Sequence, residues 1–207
     1  MKKHSIYSTP QIEEQMMSIY EEKLESWPVP YETRYVETSY GKMHIIICGQ
    51  EDAPPMMLYN AGQMAGWSWI TNVDAWRKEY RIYAVDTIGE PGRSKLNDIN
   101  TFPSNGPEQA DLQLEILDAL GLDEVIIVGA SNGGFIGAHV AIAYPERVNK
   151  LALLGPMGLT PNTNENIMRI IFAQMLPLKM VQDSTIHWSF GYDPDLLEQI
   201  DPGSDSF

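Results

Sequence analysis

A serine between two glycines follows an apolar stretch in the middle of the chain. Residues 125–128 are Val, Ile, Ile and Val, and residues 129–133 then read Gly-x-Ser-x-Gly. This pattern is typical of a nucleophilic serine on a sharp turn from a strand to a helix. Glycine is needed at Gly129 and Gly133, because a Cβ there would collide with neighbouring backbone. The pattern predicts that the Ser131 hydroxyl stands above the edge of a sheet and attacks a carbonyl carbon.

The small residues that follow Ser131 predict a helix beginning at Asn132. The N-terminus of a helix carries partial positive charge, because its first N–H groups have no partner within the helix. The backbone N–H of Asn132 would point toward the oxyanion that forms when a serine attacks a carbonyl. Asn132 is therefore a candidate donor of an oxyanion hole.

Two other interpretations of this turn are weaker. A glycine-rich turn between a strand and a helix can contain a serine without any function, although the flanking strand and helix here are those that the motif requires. Residues 129–133 also resemble the Thr-Gly-x-x-x-Gly-x-Gly turn of short-chain dehydrogenases. That turn belongs after the first strand, whereas four strands are predicted before this one. Phe135 stands where its last glycine should be, and no Tyr-x-x-x-Lys pair follows.

The elements around the turn predict an α/β fold. Residues 11–26 have helical spacing, and 33–38 and 43–48 have the composition of two strands joined as an antiparallel hairpin. Strands and helices then alternate, which predicts a mainly parallel sheet with helices on both faces. The predicted strands are 56–60, 81–86, 124–129 and 150–155, and the predicted helices are 67–78, 107–120 and 132–143.

In this order the motifs resemble the α/β-hydrolase family, specifically its compact, esterase-like members. Residues 58–69 resemble the family's strand-His-Gly-x loop that ends in a tryptophan, and 83–94 are similar to its Asp-x-x-Gly-x-Gly-x-Ser loop. Residues 144–148 match the phrase that commonly precedes the next strand. The resemblance covers about residues 30–160. It implies an α/β-hydrolase fold and two-step acyl transfer from a small ester-like substrate to water, with Ser131 as nucleophile and no cofactor.

The sequence departs from the family pattern in two places. Asn60 and Ala61 stand where relatives carry His-Gly, and the resemblance places the second oxyanion donor at the backbone N–H of Gly62, with Gln63 as the next candidate. The family's acid and histidine follow later strands, and no strand is predicted after 155. None of the chain's histidines has the position of the base, and these are His4, His44, His139 and His187. We therefore expect weak activity or none from this chain alone.

The resemblance predicts three segments. Residues 1–156 form the N-terminal part of the hydrolase core, 157–200 begin a helical cap, and 201–207 form a flexible tail. The fold is expected to be truncated before its last strands, so the apolar strand at 150–155 becomes an exposed edge. Unprotected apolar edges pair with other chains. We expect a homodimer or another association through this edge.

Acidic residues outnumber basic ones, which narrows the range of partners. The 207 residues include 28 Asp and Glu against 14 Lys and Arg, a formal net charge of -14. This charge repels phosphate backbones and anionic lipid head groups, so neither nucleic acid nor a membrane surface is an expected partner. The single cysteine, Cys48, and the lack of a signal-like or membrane-length apolar run favour a cytoplasmic protein.

The sequence leaves several functions open. A serine at the turn does not separate esterases from lipases, carbon-carbon bond hydrolases or acyltransferases. The missing base also permits a different class of function, in which the chain is a non-catalytic remnant of a hydrolase or a binding scaffold.

Overall fold

The computed structural model of the chain describes residues 5–158. Four α-helices lie in this part of the chain, and they are α1 (Pro10–Glu25), α2 (Val73–Trp76), α3 (Gly106–Leu120) and α4 (Asn132–Ala143). The strands are β1 (Tyr31–Glu37), β2 (Gly41–Cys48), β3 (Pro55–Tyr59), β4 (Arg81–Val85), β5 (Lys95–Leu96), β6 (Val125–Ala130) and β7 (Val148–Leu154). Short 3₁₀ helices occupy Gly66–Trp69, Ile99–Thr101 and Pro145–Arg147.

The strands form one seven-stranded sheet in the order β1-β2-β4-β3-β6-β7, and β5 pairs with β2. The pairs β1–β2, β2–β4 and β2–β5 are antiparallel, whereas β4–β3, β3–β6 and β6–β7 are parallel. This arrangement confirms the predicted α/β class with a mainly parallel sheet and two leading antiparallel strands. β6 lies in the parallel part of the sheet, with β3 on one side and β7 on the other.

Both faces of the sheet are covered by other elements. Because successive side chains of a strand point to opposite faces, each strand contributes to the packing on both sides. In β2, Ile45 and Ile47 join a buried cluster that includes residues of α3 and α4. Ile46 and Cys48 point to the other face, where the buried cluster includes Tyr20 of α1 and other apolar side chains. A strand that is apolar on both faces is typical of a sheet buried between two layers of helices.

The predicted helix over 67–78 is wrong as a single element. The chain there forms the 3₁₀ helix Gly66–Trp69 and then the four-residue α2. Thr71 and Asn72 lie between the two pieces, and both residue types have low helix propensity. The tryptophans of this segment pack in the cluster that contains Tyr20, and Trp69 is only 6% exposed.

Most of the predicted cap and the whole predicted tail lie outside the described residues, since only 157 and 158 of the segment 157–207 are described. Within residues 5–158, no helix has the length and apolar composition needed to cross a membrane.

Candidate active site

Three loops meet at the carboxyl ends of the parallel strands. The loop after β3 contains Gly62, the loop after β4 contains Asp86, and the turn after β6 contains Ser131. The carboxyl ends of parallel strands lie at one edge of the sheet, which is where α/β proteins bind their ligands. The fold therefore places the predicted nucleophile and the predicted oxyanion loop at the same edge.

Ser131 occupies a strained backbone conformation, with φ 49° and ψ −110°. Within residues 5–158, Gln63 is the other non-glycine residue with positive φ. The backbone N–H of Ser131 donates to the carbonyl of Leu154 at 3.0 Å, and its carbonyl accepts from the N–H groups of Phe135 at 3.1 Å and Met157 at 3.0 Å. Such backbone costs on the order of 1–3 kcal/mol and persists where neighbouring structure holds it, commonly at functional sites.

The glycines on either side of Ser131 have no room for a side chain. A Cβ on Gly129 would lie 2.3 Å from the carbonyl oxygen of Gly133, and a Cβ on Gly133 would lie 2.1 Å from that of Tyr59. The N–H of Gly133 donates to the carbonyl of Asn60 at 3.1 Å. The start of α4 is therefore pressed against the end of β3, and this contact sets the turn that carries Ser131.

The Ser131 side chain forms no hydrogen bond that caps α4. Of the histidines in the described part of the chain, His44 lies fully buried in β2, where its Nδ1 is 3.0 Å from Asp86 Oδ2 and 3.2 Å from the Tyr20 hydroxyl. No hydrogen bond is present between His44 and Ser131 in the described part of the chain. His44 is thus committed to the fold.

His139 also has a packing role. Its ring lies 4.4 Å from the ring of Phe135, centroid to centroid, and a Cβ on Gly106 would clash with it at 2.1 Å. His139 therefore packs between α4 and the start of α3. His4 and His187 lie outside the described residues.

The structure places Gly62 and Asn132, the residues predicted to supply the two oxyanion donors, next to each other. A Cβ built on Gly62 would lie 3.7 Å from the Cβ of Asn132. Neither the N–H of Gly62 nor that of Asn132 donates a hydrogen bond to another residue of the described range 5–158. Two free backbone donors beside a serine on a strained turn are the arrangement that stabilises a tetrahedral oxyanion.

Asn60 stands where the family pattern has histidine, and its side chain fastens the loop after β3. It is 1% exposed, and its Nδ2 donates to the carbonyls of Ala61 at 3.0 Å and Met64 at 2.6 Å. Its Oδ1 accepts from the Thr87 hydroxyl at 3.3 Å. The sequence did offer a signal for this role, since Asn60 stands at the histidine position of the His-Gly pattern. An asparagine amide can both donate and accept hydrogen bonds there.

The buried carboxylate of Asp86 accepts hydrogen bonds from the backbone of two loop segments. Its Oδ1 accepts from the N–H of Gly66 at 2.8 Å, and its Oδ2 accepts from the N–H of Arg93 at 2.9 Å and faces His44. Burial, with a further contribution from the charge of Asp86, raises the pKa of the Tyr20 phenol. These bonds give Asp86 a structural role in the fold.

Sequence reasoning missed Glu90. Its Oε2 accepts a hydrogen bond of 2.6 Å from the backbone N–H of Gln63, and its Oε1 would lie 3.6 Å from a Cβ on Gly62. Burial raises the pKa of this carboxyl group, and the Gln63 N–H offsets part of the rise. A single glutamate in a loop gives no sequence signal for such a contact.

Comparisons with known proteins agree with this geometry. Carboxylesterase YbfK of Bacillus subtilis (strain 168) is 31% identical over 181 residues, which cover 86% of this chain and 58% of that protein. The uncharacterized carboxylesterase nap of the same organism is 34% identical over 137 residues, or 66% of this chain and 45% of that protein. The chain thus spans about half the length of these curated relatives.

Solved structures and a family model point the same way. The crystal structure of naproxen esterase (carboxylesterase NP) from Bacillus subtilis matches with a TM-score of 0.74 at 27% identity, covering 84% of this chain and 59% of that one. A family model described as alpha/beta hydrolase fold matches residues 54–178, which include the loop after β3, the loop after β4 and the Ser131 turn. The chain therefore belongs to the α/β-hydrolase fold family.

Proposed function

We propose that this chain carries the nucleophile and the oxyanion hole of a serine carboxylesterase. Ser131 Oγ forms a bond to the ester carbonyl carbon, and the backbone N–H groups of Asn132 and Gly62 bind the oxyanion that results. The carbon–oxygen bond to the leaving group then breaks, and the alcohol departs with a proton. Water adds to the acyl-enzyme and releases the carboxylic acid together with free Ser131.

The observation that carries the proposal is the conformation of Ser131 beside the backbone N–H groups of Gly62 and Asn132, which have no hydrogen-bond partner among residues 5–158. A serine at φ 49° is costly, and the turn that imposes it lies next to Gly62. A merely structural serine gains nothing from this backbone. A nucleophile does, because the turn aims its hydroxyl away from the helix that follows.

The proposed substrate is a small, uncharged carboxylic ester. The relatives named above are called carboxylesterases, and one solved relative is called naproxen esterase. The formal charge of -14 favours neutral substrates over anionic ones. The proposed chemistry uses serine, backbone N–H groups and water, and it requires no cofactor.

A non-catalytic function is the second candidate. It is favoured because the two described histidines have structural contacts: His44 lies against Asp86, and His139 packs between α4 and α3. Nucleophile and base act as a unit in serine hydrolases, and loss of one lowers turnover by on the order of 10⁶. We therefore expect only slow ester turnover from residues 1–207 alone.

Steady-state hydrolysis of p-nitrophenyl acetate tests the proposal. Ser131→Ala should remove the turnover that exceeds the buffer rate, whereas Ser104→Ala should keep it. Ser104 is a suitable control because its exposed hydroxyl bonds to Glu108 on the surface. Equal turnover by the wild-type protein and Ser131→Ala would favour the non-catalytic function.

A further inference from the structure

The loop that would hold the oxyanion contains a tight turn with an unusual residue. The N–H of Met64 donates to the carbonyl of Ala61 at 3.3 Å, which closes a four-residue turn over 61–64. Gln63 is the third residue of this turn and has φ 63°. Turns that require positive φ at the third position normally place glycine or asparagine there. The turn therefore needs an additional interaction to hold glutamine in this conformation.

Glu90 supplies that interaction. Its carboxylate accepts the N–H of Gln63 at 2.6 Å, a short bond of the kind that a charged acceptor forms. This N–H belongs to the peptide group between Gly62 and Gln63. If that peptide flipped, the Gly62 carbonyl oxygen would turn toward the carboxylate, and two acceptors would face each other. The Glu90 bond thus selects one orientation of the peptide that follows Gly62.

Glu90 is available for this bond because the other charged groups of its loop have partners elsewhere. Asp86 binds the backbone N–H groups of Gly66 and Arg93, and the Arg93 guanidinium pairs with Glu21 of α1. Among residues 5–158, Glu90 has no ion-pair partner of its own. Its partly buried carboxylate is therefore directed at the loop and not at a cation.

We propose that Glu90 is a positioning residue of the oxyanion hole, because its carboxylate anchors the 62–63 peptide and thereby restrains backbone rotation at Gly62, whose own N–H belongs to the preceding 61–62 peptide. The inference rests on the proposed function, since the hole matters only if Ser131 attacks a carbonyl. Glu90 acts through Gln63 and Gly62 and needs no contact with the substrate. Its oxygens and the Gly62 backbone are adjacent, with 3.6 Å between Oε1 and a Cβ built on Gly62.

Backbone NMR of the full chain tests the positioning directly. In Glu90→Ala, the amide proton of Gln63 should move upfield because it loses a charged acceptor, and the Gly62 amide resonance should shift because the backbone at Gly62 loses its restraint. Glu90→Gln keeps an acceptor oxygen and should leave the Gly62 resonance close to its wild-type position. Glu115→Ala is the matched control, because Glu115 accepts a backbone N–H at the same 2.6 Å, from Ser39.

Kinetics of p-nitrophenyl acetate hydrolysis provide the second measurement. Misplacing a catalytic group by about 1 Å can cost up to about 100-fold in rate, so kcat in Glu90→Ala should fall by about tenfold or more with little change in KM. Glu90→Gln should recover most of this loss, and Glu115→Ala should match the wild type. An unchanged Gly62 resonance in Glu90→Ala, or an unchanged kcat in protein whose turnover depends on Ser131, would overturn the inference. Turnover that survives Ser131→Ala would instead overturn the proposed function, while the amide resonances still decide the role of Glu90 in the loop.

Discussion

Gly133 lies so close to Tyr59 that a Cβ on Gly133 would be 2.1 Å from the Tyr59 carbonyl oxygen. The backbone of the first turn of α4 therefore lies directly against the backbone at the end of β3, with no side chain between them. The N–H of Gly133 also donates to the next carbonyl, that of Asn60, at 3.1 Å. This contact joins the turn that carries Ser131 to the loop that contains Gly62.

Valine at Gly129 or Gly133 should destabilise the protein. The new side chain would overlap backbone atoms that cannot move without separating α4 from the sheet, and we expect a loss of roughly 1–3 kcal/mol in the free energy of unfolding. Urea denaturation followed by circular dichroism measures it. Gly62→Ala is the control, because a Cβ there meets its nearest atom at 3.6 Å. Equal midpoints for all three variants and the wild type would exclude the close approach.

Asn60→Ala should destabilise the oxyanion loop. It removes the hydrogen bonds from Nδ2 to the carbonyls of Ala61 and Met64, each worth about 0.5–1.5 kcal/mol. Hydrogen exchange should show faster exchange of amides in the loop over 60–64. Asn60→Asp keeps the acceptor for Thr87 but lacks both donors, so it should resemble Asn60→Ala. Wild-type exchange in both variants would show that these donors do not hold the loop.

Glu90 should make stability depend on pH in a defined direction. Burial raises its pKa above the ordinary 4.5, so the folded protein binds this proton more tightly than the unfolded chain does. The contribution is then fully present below the unfolded pKa and is lost as pH rises through the folded pKa. The free energy of unfolding of wild type minus that of Glu90→Gln should fall as pH rises from 4.5. A difference that rises with pH would mean that the carboxylate is stabilised in the fold.

The outer edge of β7 should associate with another molecule. In the described part of the chain β7 pairs with β6 alone, and Leu151 and Leu154 are 38% and 52% exposed. We propose a homodimer or another association through this edge, which light scattering would detect. Leu154→Lys should yield monomer, whereas Ile19→Lys, at a 45% exposed position of α1, should not. A stable wild-type monomer would contradict the proposal.

Local sequence patterns predicted the strands and helices whose conformation follows from their own apolar spacing. The alternation of strand and helix and the apolar runs of β2 and β6 predicted the sheet, because a strand buried on both faces must be apolar throughout. The same reasoning failed at 67–78, where helical spacing of tryptophans hid a break at Thr71 and Asn72. It also missed β5, whose two residues, Lys95 and Leu96, carry no periodicity.

The site was predictable to the extent that it is local in sequence. Ser131, Asn132 and the flanking glycines lie within one turn, so their spacing predicts their geometry. Asn60 and Glu90 both bind the loop over 60–64, although they are 30 residues apart in the sequence. The hydrogen bond of Glu90 with this loop forms only when the chain folds. Tertiary contacts of this kind leave no periodic or compositional trace.

Mass spectrometry of the protein after incubation with p-nitrophenyl acetate tests the role of Ser131 most directly. We predict one acetyl group on the peptide that contains Ser131, because p-nitrophenolate is a good leaving group and the acetyl-enzyme forms faster than water hydrolyses it. Ser131→Ala should carry no acetyl group on that peptide, and Ser104→Ala should be labelled like the wild type. Release of p-nitrophenol above the buffer rate with no acetyl group at Ser131 would contradict a serine nucleophile at this turn.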